Sequence, residues 1–263
     1  MRIVLRSLVP AVAAILLTIS PSAVAPHSTL AVAQDAAKDN QILADIKNNA
    51  LNKSQFKNVQ ASVQNGIVTL TGTVDVYDQK ADADRRVHRV KNVKGVENQI
   101  EVAGPEIPDA ELQNKLVKAI QYDRVGYGTT AFNAIGVNVQ NGVVTLSGHA
   151  YGPVDADSAV AVAANTKGVK DVINDIQVDP VSPMDDRIRI AVFRAVYGFP
   201  SLNKYAIDPG KPIRISVQNG HVTLYGVVDS KGDKDAAGIR ANSVPGVFSV
   251  TNNLQVAGQP EKK

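Results

Sequence analysis

Cysteine and tryptophan are both absent from this chain of 263 residues, and aromatic residues make up only 5% of it. Without cysteine the protein has no disulfide, no thiolate nucleophile, no cysteine-bound metal and no lipid-modified cysteine. Each folded unit must therefore be stabilised by packing alone. We expect cores built from valine, isoleucine, leucine and alanine.

Motifs for catalysis and metal binding are also missing. The four histidines never fall in the H-x-x-x-H or H-E-x-x-H spacing of zinc sites. Ser147 lies in an L-S-G-H sequence, but Thr71 and Tyr225 occupy the corresponding places in two related segments, which argues against a nucleophile. The glycines at 126–128 are followed by threonine and not by the lysine of a phosphate loop. The sequence predicts no enzyme, no cofactor and no metal.

A strong charge of one sign is lacking, because the formal net charge is +3. Residues 1–33 contain two arginines and no acid, so the chain without them carries +1. Nucleic acid is not a predicted partner, since there is neither a basic excess nor a G-x-x-G clamp nor an aromatic strand pattern for stacking bases. The charge is unevenly placed, however: residues 105–181 carry −4 and residues 182–263 carry +4.

The first 33 residues resemble an export signal. Arg2 and Arg6 form a basic start, residues 8–19 are mostly apolar, and residues 31–33 read A-V-A, the small-residue pattern of a cleavage site. We therefore predict cleavage near Ala33 and a periplasmic or secreted protein. An uncleaved N-terminal anchor is the alternative.

Three near-identical decapeptides follow: VQNGIVTLTG at 63–72, VQNGVVTLSG at 139–148 and VQNGHVTLYG at 217–226. Asn-Gly between alternating apolar residues is the strongest short signal for a β-hairpin, because both turn residues need a positive φ. The pattern predicts, for example, that Val63 faces Val68 across the first hairpin. The predicted turn residues are Asn65, Gly66, Asn141, Gly142, Asn219 and Gly220.

Around each hairpin the order helix, strand, strand, helix, strand is predicted, and it occurs three times. The fold class is therefore α+β: three tandem small αββαβ domains, each a three-stranded mixed sheet packed on one face by two helices. The predicted divisions are a signal peptide at 1–33, domains at 34–104, 105–181 and 182–258, and a polar tail at 259–263.

Several repeated positions suggest packing roles. Asp39 is a candidate cap for the first helix. Gly72 matches Gly148 and Gly226, and we expect these strand glycines to admit the alanine of the second helix, Ala83 in the first copy. Asn92 matches Gly168 and Gly246, which predicts a positive φ where that helix ends. Asn98, Asn174 and Asn252 also coincide and are interpreted as structural asparagines.

Each copy resembles a BON domain, a bacterial module named after an osmotically induced periplasmic protein and nodulation proteins. The resemblance is carried by the V-x-V-x-N-G-x-V-T-L-x-G hairpin, the helix after it and the closing G-V-x-x-V-x-N-x-(I/L)-x-V segment, in which the first copy has Asn92 in place of glycine. It implies a small α/β sandwich, an envelope location, a role in osmotic or envelope stress and, for some members, binding to anionic phospholipid.

The segment 184–199 (MDDRIRIAVFRAVYGF) is apolar on more than one side of a helix and also carries three arginines. Such a helix either packs on two sides or meets a membrane or partner. One hypothesis is therefore contact with a neighbouring copy, and the other is contact with anionic lipid. The candidate lipid or partner contacts are Arg187, Arg189, Phe193, Arg194, Tyr197, Lys204, Lys211 and Arg214.

The link between first helix and hairpin is short in the first copy and long in the others, at 122–134 and 197–212, where six of the twelve aromatic residues lie. Variable loops on a repeated scaffold are typical carriers of specificity. The leading functional prediction is a non-enzymatic envelope protein that binds anionic phospholipid surfaces. The alternative is a periplasmic protein–protein interaction scaffold without direct lipid contact.

Overall fold

The computed structural model describes residues 27–180 and 182–258. The first copy contains α1 (His27–Asp45, continued by a wider turn at Ile46–Ala50), β1 (Val59–Gln64), β2 (Ile67–Val74), α2 (Tyr77–His88), β3 (Gly95–Asn98) and β4 (Glu101–Val102). The second contains α3 (Asp109–Asp123), β5 (Ala134–Gln140), β6 (Val143–Ala150), α4 (Pro153–Ala164) and β7 (Asp171–Val178). The third contains α5 (Pro183–Tyr197), β8 (Arg214–Gln218), β9 (His221–Tyr225), β10 (Val227–Val228), α6 (Lys231–Asn242), β11 (Ser249–Asn252) and β12 (Gln255–Val256).

The predicted α+β class and three-fold order are confirmed. In every copy the Asn-Gly hairpin is antiparallel and the last strand pairs with its second strand in parallel. Val63 lies opposite Val68, and Val139 opposite Val144. The last strand is interrupted in the first and third copies, which gives two short pieces each.

Turn residues adopt the predicted conformations. Asn65, Asn141 and Asn219 have φ of 54°, 54° and 51°, and the glycine after each lies between 78° and 81°. Asn92 also has a positive φ, 70°, as do Gly168 and Gly246, so the end of the second helix needs this conformation in all copies. Local chemistry at these positions therefore fixes both the hairpin register and the helix stop.

The start of the chain differs from the expectation for Asp39. Helix α1 begins at His27, so Asp39 lies inside a helix and does not cap one. Residues 1–26 of the predicted signal lie outside the described residues, and cleavage near Ala33 and the domain boundaries stay predictions.

The strand glycines have a different role from the one expected. Gly72, Gly148 and Gly226 have φ of 106°, 93° and 124°. A Cβ on Gly148 would lie 2.2 Å from the carbonyl oxygen of Ala134 on the neighbouring strand, and one on Gly72 would lie 2.0 Å from that of Asn58. These glycines therefore lie close to backbone atoms at the start of the paired strand. The expectation that they admit the alanine of the second helix was wrong.

An aspartate of the first helix holds the hairpin turn in every copy. The carboxylate of Asp39 accepts hydrogen bonds from the amides of Asn65 and Gly66 at 2.7 and 2.8 Å. Asp109 does the same for the second turn at 2.7 and 2.9 Å, and Asp185 for the third at 3.1 and 2.8 Å. Each carboxylate thus ties its helix to the tip of its own hairpin.

Replacing Asp109 by alanine should lower the free energy of unfolding by about 1.5–3 kcal/mol, because two hydrogen bonds to a charged acceptor are lost. Glu111→Ala is the matched control, since this exposed acid lies in the same first turn of α3. Urea denaturation of both variants provides the measurement. Equal losses would show that the acidic first turn matters and the clamp on the turn does not.

Two of the three repeated asparagines tie the last strand to the second helix. Asn98 Nδ2 donates to the carbonyl of Lys80 at 3.0 Å, and Asn252 Nδ2 donates to that of Lys234 at 2.7 Å. The side-chain oxygen of Asn174 accepts from the amide of Ile176 at 3.1 Å. These hydrogen bonds identify the partners of the asparagines that were interpreted as structural.

Adjacent copies are also packed against each other. Tyr77 of the first copy packs on the core of the second. Burial is the main cause that raises the pKa of its phenol to about 12, and the hydrogen bond to Asp171 is the next largest. The backbones of Gly104 and Gly168 approach closely, since a Cβ on Gly104 would lie 3.1 Å from the Gly168 nitrogen. The second and third copies make the more extensive junction, which positions the candidate site.

Candidate functional site

The eight predicted contact residues separate into two groups in the structure. Four are exposed: Arg187, Arg194, Lys204 and Lys211. Phe193 and Arg214 are half-buried, while Arg189 and Tyr197 are buried. The expectation that all eight face a lipid or partner is therefore corrected for the residues that the fold encloses.

Arg189 lies inside the junction between the second and third copies and is 1% exposed. Its Nη2 donates to the carbonyl of Val217 at 3.1 Å and lies 3.8 Å from Asp179 Oδ2, while Nη1 pairs with Asp186. The guanidinium lies 5.0 Å from the ring centre of Tyr151, a residue of the second copy. Arg189 therefore joins two copies and does not meet solvent.

Asp179 is the acidic centre of this junction, and its side chain is fully buried. Its Oδ1 accepts from Ser216 Oγ at 3.1 Å and from Gln218 Nε2 at 2.9 Å, and it lies 3.1 Å from His149 Nδ1. Because donors from both copies converge on one carboxylate, the two copies are locked in one relative orientation. Contact with a neighbouring copy is thus the role of this side of α5.

Tyr197 and Arg214 are also used internally. The Tyr197 hydroxyl donates to the carbonyl of Ile213 at 2.6 Å, and burial raises the pKa of this phenol far above its usual value. Arg214 Nη1 donates to the carbonyls of Thr130 and Asn133, both at 2.7 Å, and burial lowers its pKa. Neither side chain is free to contact a surface.

Lys204 is exposed but paired. Its Nζ lies 2.7 Å from a carboxylate oxygen of Asp229 and 3.0 Å from one of Asp233, and the hydrogen bond to Asp229 is the main cause of its raised pKa. Its charge is thereby largely compensated within the third copy.

Two buried aspartates at the start of the second helices hold the long links in place. Asp155 accepts from Thr129 Oγ1 at 2.7 Å, Asn133 Nδ2 at 2.9 Å and Arg124 Nε at 3.1 Å. Asp233, its counterpart in the third copy, accepts from the Tyr205 hydroxyl at 2.8 Å. The role of these two acids as anchors was not predicted from the sequence.

A signal for this role does exist in the sequence. The corresponding residue of the first copy, which has a short link, is Gln79, whose side-chain oxygen accepts from the amide of Asp75 at 2.9 Å. An aspartate thus occurs only in the two copies with long aromatic links, and there it anchors the link.

The outer side of α5 carries two cations. Arg187 and Arg194 are exposed, with Ile190 between them at helical spacing and 46% exposed. Among the described residues, neither arginine forms an ion pair. We call these three residues the α5 stripe.

The α5 stripe is particular to the third copy. The corresponding residues are Gln41 and Ala44 in α1, with Asn48 in the wider turn that continues it, and Glu111, Asn114 and Lys118 in α3. Two arginines flanking an exposed apolar residue therefore occur on this helix alone of the three.

In the part of the chain that the structure describes, no group of three histidine or acidic side chains is arranged to hold a metal ion. None of its helices combines the length and the apolar composition needed to cross a bilayer.

The BON domain model matches residues 38–104, 108–180 and 201–258. The chain belongs to the BON domain family. The third match begins after α5, so the α5 stripe lies outside the part that the family model covers.

Two curated proteins are similar to this BON-domain chain. An uncharacterised protein of Anaplasma centrale, from the gshII 5′ region, is 28% identical over 142 residues, which cover 53% of this chain and 94% of that protein. Osmotically-inducible protein Y of Escherichia coli strain K12 is 27% identical over 194 residues, covering 72% of this chain and 92% of that protein.

A solved structure of CdsD, described as a structural protein of the type III secretion system of Chlamydia trachomatis, also matches. It is 16% identical with a TM-score of 0.24, and the match covers 87% of this chain and 94% of CdsD.

Proposed function

We propose that this BON-domain protein is a non-enzymatic protein of the bacterial envelope, related to osmotic or envelope stress, that binds anionic phospholipid surfaces. The stress role is supported by the family match and by its similarity to a protein named for osmotic induction. The envelope location is supported by the signal-like N-terminus, with its basic start, apolar stretch and A-V-A pattern.

The α5 stripe is the observation that carries the lipid proposal. A cation close to an anionic bilayer contributes about 1 kcal/mol, and no acid of the described residues pairs with Arg187 or Arg194. Together they would contribute about 2 kcal/mol, or roughly 30-fold in affinity. Ile190 lies between them and can enter the interfacial region while the arginines meet headgroups.

Charge reversal tests the proposal. The variant Arg187→Glu/Arg194→Glu should lose at least about 30-fold in affinity for phosphatidylglycerol vesicles, since attraction is replaced by repulsion. Wild-type binding should weaken as salt increases and should be absent with phosphatidylcholine alone. Co-sedimentation with vesicles measures all three effects.

The matched control is Lys115→Glu/Lys118→Glu, which makes the same change in net charge at exposed residues of α3, the corresponding helix of the second copy. We expect this control to bind vesicles as the wild type does. Retained binding by the α5 variant, or equal binding to neutral vesicles, would contradict the lipid proposal.

A protein-interaction scaffold is the second candidate. It is favoured by large apolar side chains that the long links leave in solvent, namely Tyr127 at 68% and Ile207 at 77% exposed. Such a scaffold would not respond to the lipid headgroup, so the same vesicle experiment separates the two functions.

A further inference from the structure

A cleft of about 360 Å³ lies between the two long links, where the second copy meets the third. The lining residues include Val125 and Ala131 from the second copy and Phe193, Tyr197, Tyr205 and Pro212 from the third. This volume is within the range of small-molecule sites in proteins.

The polar side chains of the lining are already hydrogen-bonded within the protein. The hydroxyls of Tyr197 and Tyr205 donate to Ile213 and Asp233. The hydroxyl of Thr130 donates to the carbonyl of Arg124 at 3.3 Å, which leaves Asp208 to be considered.

Asp208 lies at the edge of the cleft and is satisfied as well. Its Oδ1 accepts from the Tyr122 hydroxyl at 3.2 Å and from the Gly210 amide at 2.8 Å. Since the lining side chains do not demand a hydrogen-bonding ligand, the occupant that fits is a hydrocarbon chain.

The charged residues around the cleft indicate which headgroup a bound hydrocarbon chain would carry. Phe193 and Tyr197 lie three residues after Ile190 and Arg194, so the cleft adjoins the α5 stripe on the same helix. Of the four basic residues at 194–214, Lys204 is paired with Asp229 and Asp233 and Arg214 is turned inward, which leaves Arg194 and Lys211 exposed beside the half-buried Asp208. A hydrocarbon chain in the cleft would therefore carry its polar end towards Arg194 and Lys211.

We propose that this cleft binds the hydrocarbon chain of an anionic amphiphile, with the headgroup at Arg194. The inference rests on the proposed function, which it deepens from association with a surface to capture of a single chain. Both copies are needed, because the second supplies one wall and the third supplies the other.

Titration calorimetry of the full chain with decyl sulfate below its micelle concentration tests the site. We expect saturable binding that weakens about fourfold for each methylene removed, as octyl and hexyl sulfate replace decyl sulfate. Decyltrimethylammonium, which has the same chain and the opposite charge, should bind at least about tenfold more weakly. Equal affinity for the two decyl probes, or no dependence on chain length, would overturn the proposal.

Variants locate the binding. Ala206→Trp introduces an indole at an exposed residue of the cleft wall and should abolish binding of decyl sulfate. Ala119→Trp makes the same change on the exposed side of α3 and should have no effect. Arg194→Gln should keep the dependence on chain length and lose the preference for sulfate.

The two proposals fail separately. Undiminished decyl sulfate binding by Ala206→Trp would remove the cleft site even if vesicles are still bound. Undiminished vesicle binding by Arg187→Glu/Arg194→Glu would remove the proposed function even if decyl sulfate is bound.

Discussion

Replacing Arg189 by alanine should lower the free energy of unfolding by about 3–5 kcal/mol, measured by urea denaturation. The substitution removes a side chain that is 1% exposed and leaves the fully buried carboxylate of Asp179 without its cationic partner. Arg187→Ala, two residues earlier on the exposed side of α5, is the control and should change stability by no more than about 0.5 kcal/mol.

A second variant separates charge from packing. The double variant Asp179→Asn/Arg189→Met should lose much less free energy of unfolding than the sum of the losses of the two single variants. The reason is that no unpaired charge then stays buried. Additive losses would mean that the two side chains do not interact and that the junction between the copies is held by other contacts.

Replacing Gly148 by alanine should lower the free energy of unfolding by about 3 kcal/mol or more. The new Cβ would lie 2.2 Å from the carbonyl oxygen of Ala134, and alanine is strained at a φ of 93°. The control is Gly136→Ala on the paired strand, where φ is not positive and the nearest contact of a Cβ is the side chain of Ser147 at 3.3 Å. Thermal unfolding of the two variants should differ clearly, and equal melting temperatures would refute the backbone explanation.

The repeated hairpin could be predicted from sequence because its determinants are local. Asn65 and Gly66 need only their own backbone preferences to set the register, and the same pair recurs twice. The helix stop at Asn92 is local in the same way. The fold class was therefore predictable from residues that are close together in the sequence.

The clamp on the turn by Asp39, Asp109 and Asp185 could not be read from sequence. The separation between the aspartate and its turn is 26, 32 and 34 residues, because it includes a link of variable length. A gapless internal comparison therefore does not align these aspartates with respect to the hairpins.

The candidate site was only partly predictable for a different reason. Arginine is ordinarily a surface residue, so Arg187, Arg189 and Arg194 looked alike on the helix. What separates them is the position of the second copy, which supplies Tyr151, His149 and Asp179 to one side of α5 only. A contact between copies leaves no pattern within one copy.

The central claim is that the α5 stripe, and not the corresponding helix faces of the other copies, meets the anionic bilayer. Because the chain has no cysteine, single cysteines can be introduced at residues 190, 114 and 44, the same position in the three copies, and labelled with an environment-sensitive fluorophore. On addition of phosphatidylglycerol vesicles, we predict a blue shift for the label at 190 and no shift for the labels at 114 and 44. An unchanged spectrum at 190, or equal shifts at all three positions, would contradict the claim.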